Sequence, residues 1–204
     1  MSGSGNNTLR IIGGRWRGRK VSFADVPGLR PTPDRVRETL FNWLQTNISG
    51  ARCMDLFSGS GALGLEALSR GAEFCLFIDS HSKAVSQIQE NLTLLQPDIN
   101  SGTGTPPIRK QHHNVLATNT LSYLTQNRFA EQYDLVFVDP PFAMDCITTC
   151  CQFLENHQWL SPNAIIYLES PHALDTQHLP DKWQLYRHKR AGNVHYHLAI
   201  RTTP

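Results

Sequence analysis

At 204 residues, 40% hydrophobic and with a formal net charge of only +2, the chain has room for one well-buried domain and a small appendage. No run approaches the ~18 apolar residues of a membrane span. The polar opening, residues 1–8, lacks the apolar stretch of a signal peptide and is expected to be a disordered lead, so a soluble, cytoplasmic protein without membrane contact is expected. Five cysteines with no C-x-x-C pair, and nine histidines without partners at ligand spacing, point to neither a disulfide framework nor a metal site.

In chain order, residues 9–12 and 15–21 read as a hairpin, with Gly13-Gly14 supplying the positive φ angles of a tight turn. A loop with Pro27, Gly28, Pro31 and Pro33 follows. Thr32 is expected to cap a helix that has Pro33 at its first position. Val36, Leu40, Phe41, Trp43, Leu44 and Ile48 then recur at steps of three and four, one apolar helix face. From residue 51 the pattern alternates. Strands are predicted at 51–57, 73–78, 108–113, 133–138 and 164–168, and helices at 62–70, 82–95, 116–125 and 147–157. Alternation of this kind predicts a parallel sheet with helices on both faces. Residues 183–189 and 194–202 read as a closing antiparallel hairpin around Ala191-Gly192-Asn193.

Charge is unevenly spread. Arg10, Arg15, Arg17, Arg19, Lys20, Arg30, Arg35 and Arg37 face only Asp25 and Asp34 within the first 37 residues, with Trp16 and Phe23 interleaved. A basic, aromatic-bearing arm suits a polyanion. Arginine outnumbers lysine seven to one there, and its planar fork matches phosphates and stacks on bases. Arg10, Arg15, Trp16, Arg17, Arg19, Lys20, Arg30 and Arg35 are therefore the candidate nucleic-acid contacts. Arg37 has acids within reach at Asp34 and Glu38 and serves equally well as a structural residue.

Asp55-Leu56-Phe57-Ser58-Gly59-Ser60-Gly61-Ala62-Leu63-Gly64 carries a strand into a helix through a glycine turn. Gly59, Ser60 and Gly61 let a ligand approach the backbone, next to the free N–H groups of a helix start. Asp79 ends the next strand, 18 residues after Gly61, a spacing that suits a carboxylate on a ribose. The glycines also satisfy the dinucleotide pattern G-x-G-x-x-G. Asp55, however, stands where a pyrophosphate would lie and would repel it. An ammonium-bearing donor would instead be attracted, and S-adenosylmethionine has an ammonium, a sulfonium and a ribose but no phosphate.

Asp139-Pro140-Pro141-Phe142 follows residues 133–138, an apolar run that reads as a buried strand. Open α/β sheets bind ligands at the carboxyl ends of their strands. The prolines fix φ and remove two donors, so the ladder stops there. A carboxylate, a held carbonyl and a flat ring suit a planar heterocycle with an amino group: Asp139 and the Pro140 carbonyl accept its hydrogens and Phe142 stacks on it.

The chain resembles the RsmD-type 16S ribosomal RNA guanine-N2 methyltransferases of bacteria over residues 9 to about 201. The resemblance rests on four blocks in order: Arg10-Ile11-Ile12-Gly13-Gly14-Arg15-Trp16-Arg17-Gly18-Arg19-Lys20, Gly28-Leu29-Arg30-Pro31-Thr32-Pro33-Asp34-Arg35-Val36-Arg37, Ser58-Gly59-Ser60-Gly61-Ala62-Leu63-Gly64-Leu65-Glu66, and Phe137-Val138-Asp139-Pro140-Pro141-Phe142. It implies a Rossmann-like class I methyltransferase: a seven-stranded, mostly parallel sheet with a C-terminal antiparallel hairpin and an N-terminal β-hairpin extension. It implies S-adenosylmethionine as donor and, as acceptor, one guanine in the helix 31 loop of 16S rRNA, in the small subunit or a late assembly intermediate. By position, Asp55, Gly59, Ser60 and Gly61 would line the methionine end, Asp79 would hold the ribose, and Asp139, Pro140 and Phe142 would address the guanine. Leu116 stands where the family tends to carry an adenine-contacting Asn or Asp, which leaves Asn114 or a backbone group for that contact. The loop at 96–107 is also longer than the family's.

The domain division expected is a lead at 1–8, a basic hairpin and loop at 9–31, and a methyltransferase domain at 32–204, acting as a monomer. The competing readings are an amino methyltransferase acting on DNA adenine or another RNA guanine, a non-catalytic RNA-binding assembly factor, and a nicotinamide oxidoreductase.

Overall fold

The computed structural model describes residues 7–95, 112–126 and 132–202. Two short strands, β1 (Thr8–Arg10) and β2 (Lys20–Ser22), pair antiparallel. Helix α1 (Asp34–Trp43) leads into an alternating run: β3 (Arg52–Asp55), α2 (Ala62–Ser69), β4 (Phe74–Asp79), α3 (Ser82–Leu95), β5 (His112–Ala117), α4 (Thr120–Gln126), β6 (Tyr133–Val138), α5 (Ile147–Asn156) and β7 (Leu160–Ser170). The chain closes with β8 (Trp183–Ala191) and β9 (Val194–Arg201). These seven strands form one sheet in the order β5-β4-β3-β6-β7-β9-β8, parallel from β5 to β7 and antiparallel where β9 enters between β7 and β8. The expected alternation and closing hairpin are both present.

Each face of the sheet is covered. Cys53, Phe77, Leu135, Phe137 and Tyr167 point to the side packed by α1, α2 and α3, while Met54, Leu76, Val136, Leu168 and Ala199 point to the side of α4 and α5. The split is the period-2 alternation of a strand buried on both faces. All five cysteines are buried and free.

Local expectations differ in three places. Gly13-Gly14 is not the turn of a tight hairpin, because β1 and β2 are joined by a nine-residue loop, 11–19. That loop wraps the last turn of α2: the Arg15 amide donates to the Ser69 carbonyl at 2.9 Å and the Trp16 amide to the Ser69 hydroxyl at 3.0 Å. The glycines are there for close approach, since a Cβ on Gly14 would fall 1.9 Å from the Ser69 oxygen. Thr32 does not cap α1. Pro33 takes the cap position without a side-chain bond, and the buried Thr32 lends its carbonyl to the Arg37 Nε at 3.2 Å. The strand expected at 108–113 is observed as His112–Ala117, with 108–111 outside the described residues, so Leu116 lies in a strand and α4 begins only at Thr120. The loop at 96–107 lies wholly outside the described residues.

The N-terminal segment shares the main core, contributing Leu9, Ile11, Trp16 and Val21. It is tied down by Glu66 of α2, a fully buried carboxylate that accepts from the Ile12 and Gly13 amides at 2.9 and 2.7 Å. Arg37, 1% exposed, sits 3.4 Å from Glu66 and also donates to the Arg10 carbonyl and to Asp34. Every nitrogen of the Arg37 guanidinium and both oxygens of Glu66 have a partner, Arg70 adding a second cation 2.7 Å from Glu66, which is the condition under which such a buried pair is tolerated. Arg37 is thus structural.

Candidate active site

Four neighbouring strands, β4, β3, β6 and β7, carry an acid at or beside their carboxyl ends: Asp79, Asp55, Asp139 and Glu169. All four stand on the α1 side of the sheet, because each lies two residues beyond a side chain of that core cluster (Phe77, Cys53, Phe137 and Tyr167).

The glycine turn links two of these acids. The Ser58 hydroxyl donates to the Asp55 carbonyl at 2.8 Å and accepts from the Ile78 amide at 2.9 Å, pinning the turn to β4. Gly61 caps α2 at φ 75°, left-handed backbone in which a β-carbon is strained. Asp79 is half-buried; one of its oxygens accepts from the Gly59 amide and the other from the His81 amide, both at 2.8 Å. Each oxygen retains a second lone-pair direction toward solvent.

Asp55 lies behind the loop, 2% exposed, with Oδ2 accepting from the Gly64 amide at 3.1 Å. Burial pushes its pKa up to about 7, against the lowering effect of the Gly64 bond. The Ser60 hydroxyl is buried and accepts from the Ala62 amide at 3.3 Å. The first turn of α2 is therefore engaged by the chain's own oxygens, and an acid sits behind it. Such a site suits an ammonium and a ribose and disfavours a pyrophosphate. Gly64, the third glycine of the pattern, serves packing: a Cβ there would meet the Phe77 ring at 2.2 Å and the Cys75 sulfur at 2.9 Å.

Beyond β6, Asp139 is half-buried, Pro140 is buried, and Phe142 is 44% exposed at the start of a short 3₁₀ turn, Phe142–Met144. Among the described residues neither the Asp139 carboxylate nor the Pro140 carbonyl receives a hydrogen bond. Burial, then the neighbouring Glu169 and Asp55, hold the Asp139 carboxyl well above the usual range.

Sequence reasoning missed Glu169. It is 5% exposed, accepts from the Tyr167 hydroxyl at 2.6 Å, and has its pKa pushed up to about 7 by burial. An acid interrupting an apolar strand, in Ile166-Tyr167-Leu168-Glu169-Ser170, was the available signal.

Asn114 is not brought to this edge. It pairs with Leu76, three residues before the Asp79–Ala117 pair that ends β5, or about 10 Å down the strand. Asn119 stands at the edge instead, with its Oδ1 capping α4 through the Ser122 amide at 3.0 Å, while the adjacent Thr118 amide donates to the Asp79 carbonyl. The mistaken boundary between β5 and α4 hid it.

In the arm, Arg10, Arg15, Arg17, Lys20, Arg30 and Arg35 are exposed, and Arg19 is partly so, donating to the Leu94 carbonyl at 2.9 Å. Trp16 is 3% exposed, so its indole is a core group rather than a stacking surface. Leu29 lies over the glycine turn, its side chain 3.7 Å from where a Gly59 β-carbon would be, which brings Arg30 beside the same edge.

Residues 9–200 match the family described as Conserved hypothetical protein 95. The chain belongs to that family. The Escherichia coli K12 protein named ribosomal RNA small subunit methyltransferase D is 43% identical over 195 residues, covering 96% of this chain and 91% of that one. A solved Escherichia coli structure described as a putative methyltransferase, yhhF, superposes with a TM-score of 0.81 at 42% identity, covering 97% of this chain and 99% of that one. At the level of fold alone, SMU.776, described as a putative methyltransferase complexed with SAH, gives a TM-score of 0.67 at 13% identity, covering 98% of this chain and 57% of that one. The fold is that of a class I methyltransferase.

Proposed function

We propose that the protein transfers a methyl group from S-adenosylmethionine to the 2-amino group of one guanine, in the helix 31 loop, of 16S rRNA. The observation that carries this reading is the pair of open acceptors at the end of β6, Asp139 and the Pro140 carbonyl, beside the exposed ring of Phe142. Small-subunit rRNA as the substrate is carried over from the name of the 43% identical relative.

S-adenosylmethionine supplies an electrophilic methyl on a sulfonium. Asp79 offers one open direction on each oxygen to the ribose hydroxyls, Asp55 lends its negative field to the ammonium from behind Gly59 and Gly61, and the backbone at 117–119 meets the adenine edge in place of Asn114. The guanine amine is a weak nucleophile because its lone pair is delocalised into the ring. With its two hydrogens held by Asp139 and the Pro140 carbonyl, the nitrogen pyramidalises and its lone pair faces the methyl. Phe142 stacks on the base and fixes the line of approach, so positioning supplies much of the rate. Asp139, whose ionised form a cationic donor would favour, stabilises the positive charge growing on the amine. As the methyl–sulfur bond breaks, the sulfur departs as a neutral thioether, and the amine proton passes to Asp139 or to water. The exposed arm residues hold flanking phosphates. The enzyme works as a cytoplasmic monomer on the small subunit or a late assembly intermediate.

The test is incubation with tritiated S-adenosylmethionine and small subunits from a strain lacking the modification, followed by nucleoside analysis. Label is expected in N2-methylguanosine. Asp139→Ala is expected to lose most turnover while donor binding, read by calorimetry, persists. Near-wild-type turnover in that variant would remove Asp139 from the reaction. Label in adenine, or on DNA only, would replace the acceptor.

A further inference from the structure

The C-terminal hairpin carries charge that the reaction above does not use. Residues 182–201 contain five lysines and arginines, three histidines and no acid. Arg187, Lys189 and Arg190 of β8 are exposed, and among the described residues none has an acidic partner.

Register places this charge beside the reacting groups. Val138 pairs with Leu168, so Asp139 is one step further, level with Glu169. Glu169 pairs with Tyr196, and Tyr196 with Lys189. Asp139, Glu169, Tyr196 and Lys189 thus form one transverse row across β6, β7, β9 and β8. Three strand spacings separate its ends, about 14 Å, a few nucleotides along an RNA chain. The hairpin turn at Gly192 points to the carboxyl edge of the parallel strands. The cations are also ordered: Trp43 packs on Tyr196 at 5.6 Å between ring centres, with Arg187 and Lys189 at 6.0 and 5.8 Å from the Trp43 ring.

Charge on an edge strand commonly serves to block strand pairing. That purpose is met by either sign, and the run of cations without acids is left unexplained by it. We propose that the α1-side face of the β8–β9 hairpin is a second RNA contact, in which Arg187 and Lys189 grip phosphates beside the target guanine, on the side of the active site formed by β7 and β9. This rests on the RNA reading given above.

The experiment compares wild type with the double variant R187Q/K189Q and the charge-keeping variant R187K/K189R. Affinity for a single-stranded RNA carrying the target loop is measured between 50 mM and 1 M salt, with the KM for small subunits alongside. Two lost contacts at about 0.7 each lower the salt slope by about 1.4, or roughly fourteenfold in affinity at 0.15 M salt. The glutamine variant is expected to show that loss and a raised KM, with unchanged donor affinity and melting temperature. The charge-keeping variant is expected to retain wild-type slope. Equal slopes and KM values for the glutamine variant and wild type would overturn the hairpin contact alone. Aggregation of the glutamine variant with RNA affinity intact would also overturn it, making the charge an edge guard. Failure of wild type itself to bind or methylate RNA would overturn this and the functional reading together, and is seen without any substitution.

Discussion

Glu169→Gln tests whether the buried acid beside Asp139 is held against its solvation. In the folded chain its pKa rises from an ordinary 4.5 to about 7, with burial as the leading cause. The folded state therefore keeps the proton after the unfolded state has lost it. The stability contributed by the protonated form is complete below about 4.5, declines as pH rises to about 7, and is then gone. Each pH unit in that window is about 1.4 kcal/mol, so the loss is at most about 3 kcal/mol. Glutamine is neutral throughout, and its carbonyl still accepts from the Tyr167 hydroxyl. Removing the charge also relieves Asp139, in the same direction. The expected result, from urea unfolding of the ligand-free protein at pH 4.5 to 8, is a variant that matches wild type in acid and exceeds it by up to about 3 kcal/mol at pH 8. For a domain of this size that is about 6–12 °C in melting temperature. Profiles that run parallel across the whole range would refute the reasoning, because they would mean that Glu169 titrates alike in both states.

Two further substitutions separate packing from function. Gly64→Ala gains about 1 kcal/mol of helix propensity but forces a methyl into the buried Phe77 ring at 2.2 Å, an overpacking that costs about 1–3 kcal/mol. The expected outcome is a net loss of up to about 2 kcal/mol in urea unfolding, and a raised midpoint would show that the ring moves freely aside. Trp16→Ala should lower stability by about 3–5 kcal/mol and leave the salt slope of RNA binding untouched; a shallower slope at constant stability would return the indole to the nucleic-acid surface.

The sheet was legible because its inner parallel strands, β3, β4, β6 and β7, are buried on both faces and read as short apolar runs, whereas the half-exposed edge strand β5 carries no such run and its position was missed. The glycine turn and the Asp139 tetrad were legible because each is local, a strand end whose next few residues break the strand in a chemically specific way. Boundaries failed where a local signal had two uses. Gly13-Gly14 looks like a hairpin turn from sequence, yet its contact is with Ser69, more than fifty positions away. Trp16 looked like part of a nucleic-acid surface because it is flanked by arginines. Only the fold shows that its ring fills the same core as Leu9 and Val21 while Arg15 lies over it at 4.4 Å.

Asp55, Asp139 and Glu169 carry a deeper constraint. The three acids stand on one face of adjacent strands and burial raises the proton affinity of each, with repulsion adding to it at Asp139, from Glu169 and Asp55, and at Asp55, from Asp79. Such a row costs stability in the ligand-free state, a pattern that buried acids follow when their partner is not part of the chain. A cationic donor supplies that partner. The sulfonium and ammonium of S-adenosylmethionine would lower all three pKa values together, so donor binding should take up fewer protons in the row, release those it held, and strengthen as pH rises from about 5 to 8. Calorimetry in buffers of different ionisation enthalpy reads that release directly. Binding without proton release over this range would mean that the acids already stand ionised without the donor, and the electrostatic account of the site would fall with it.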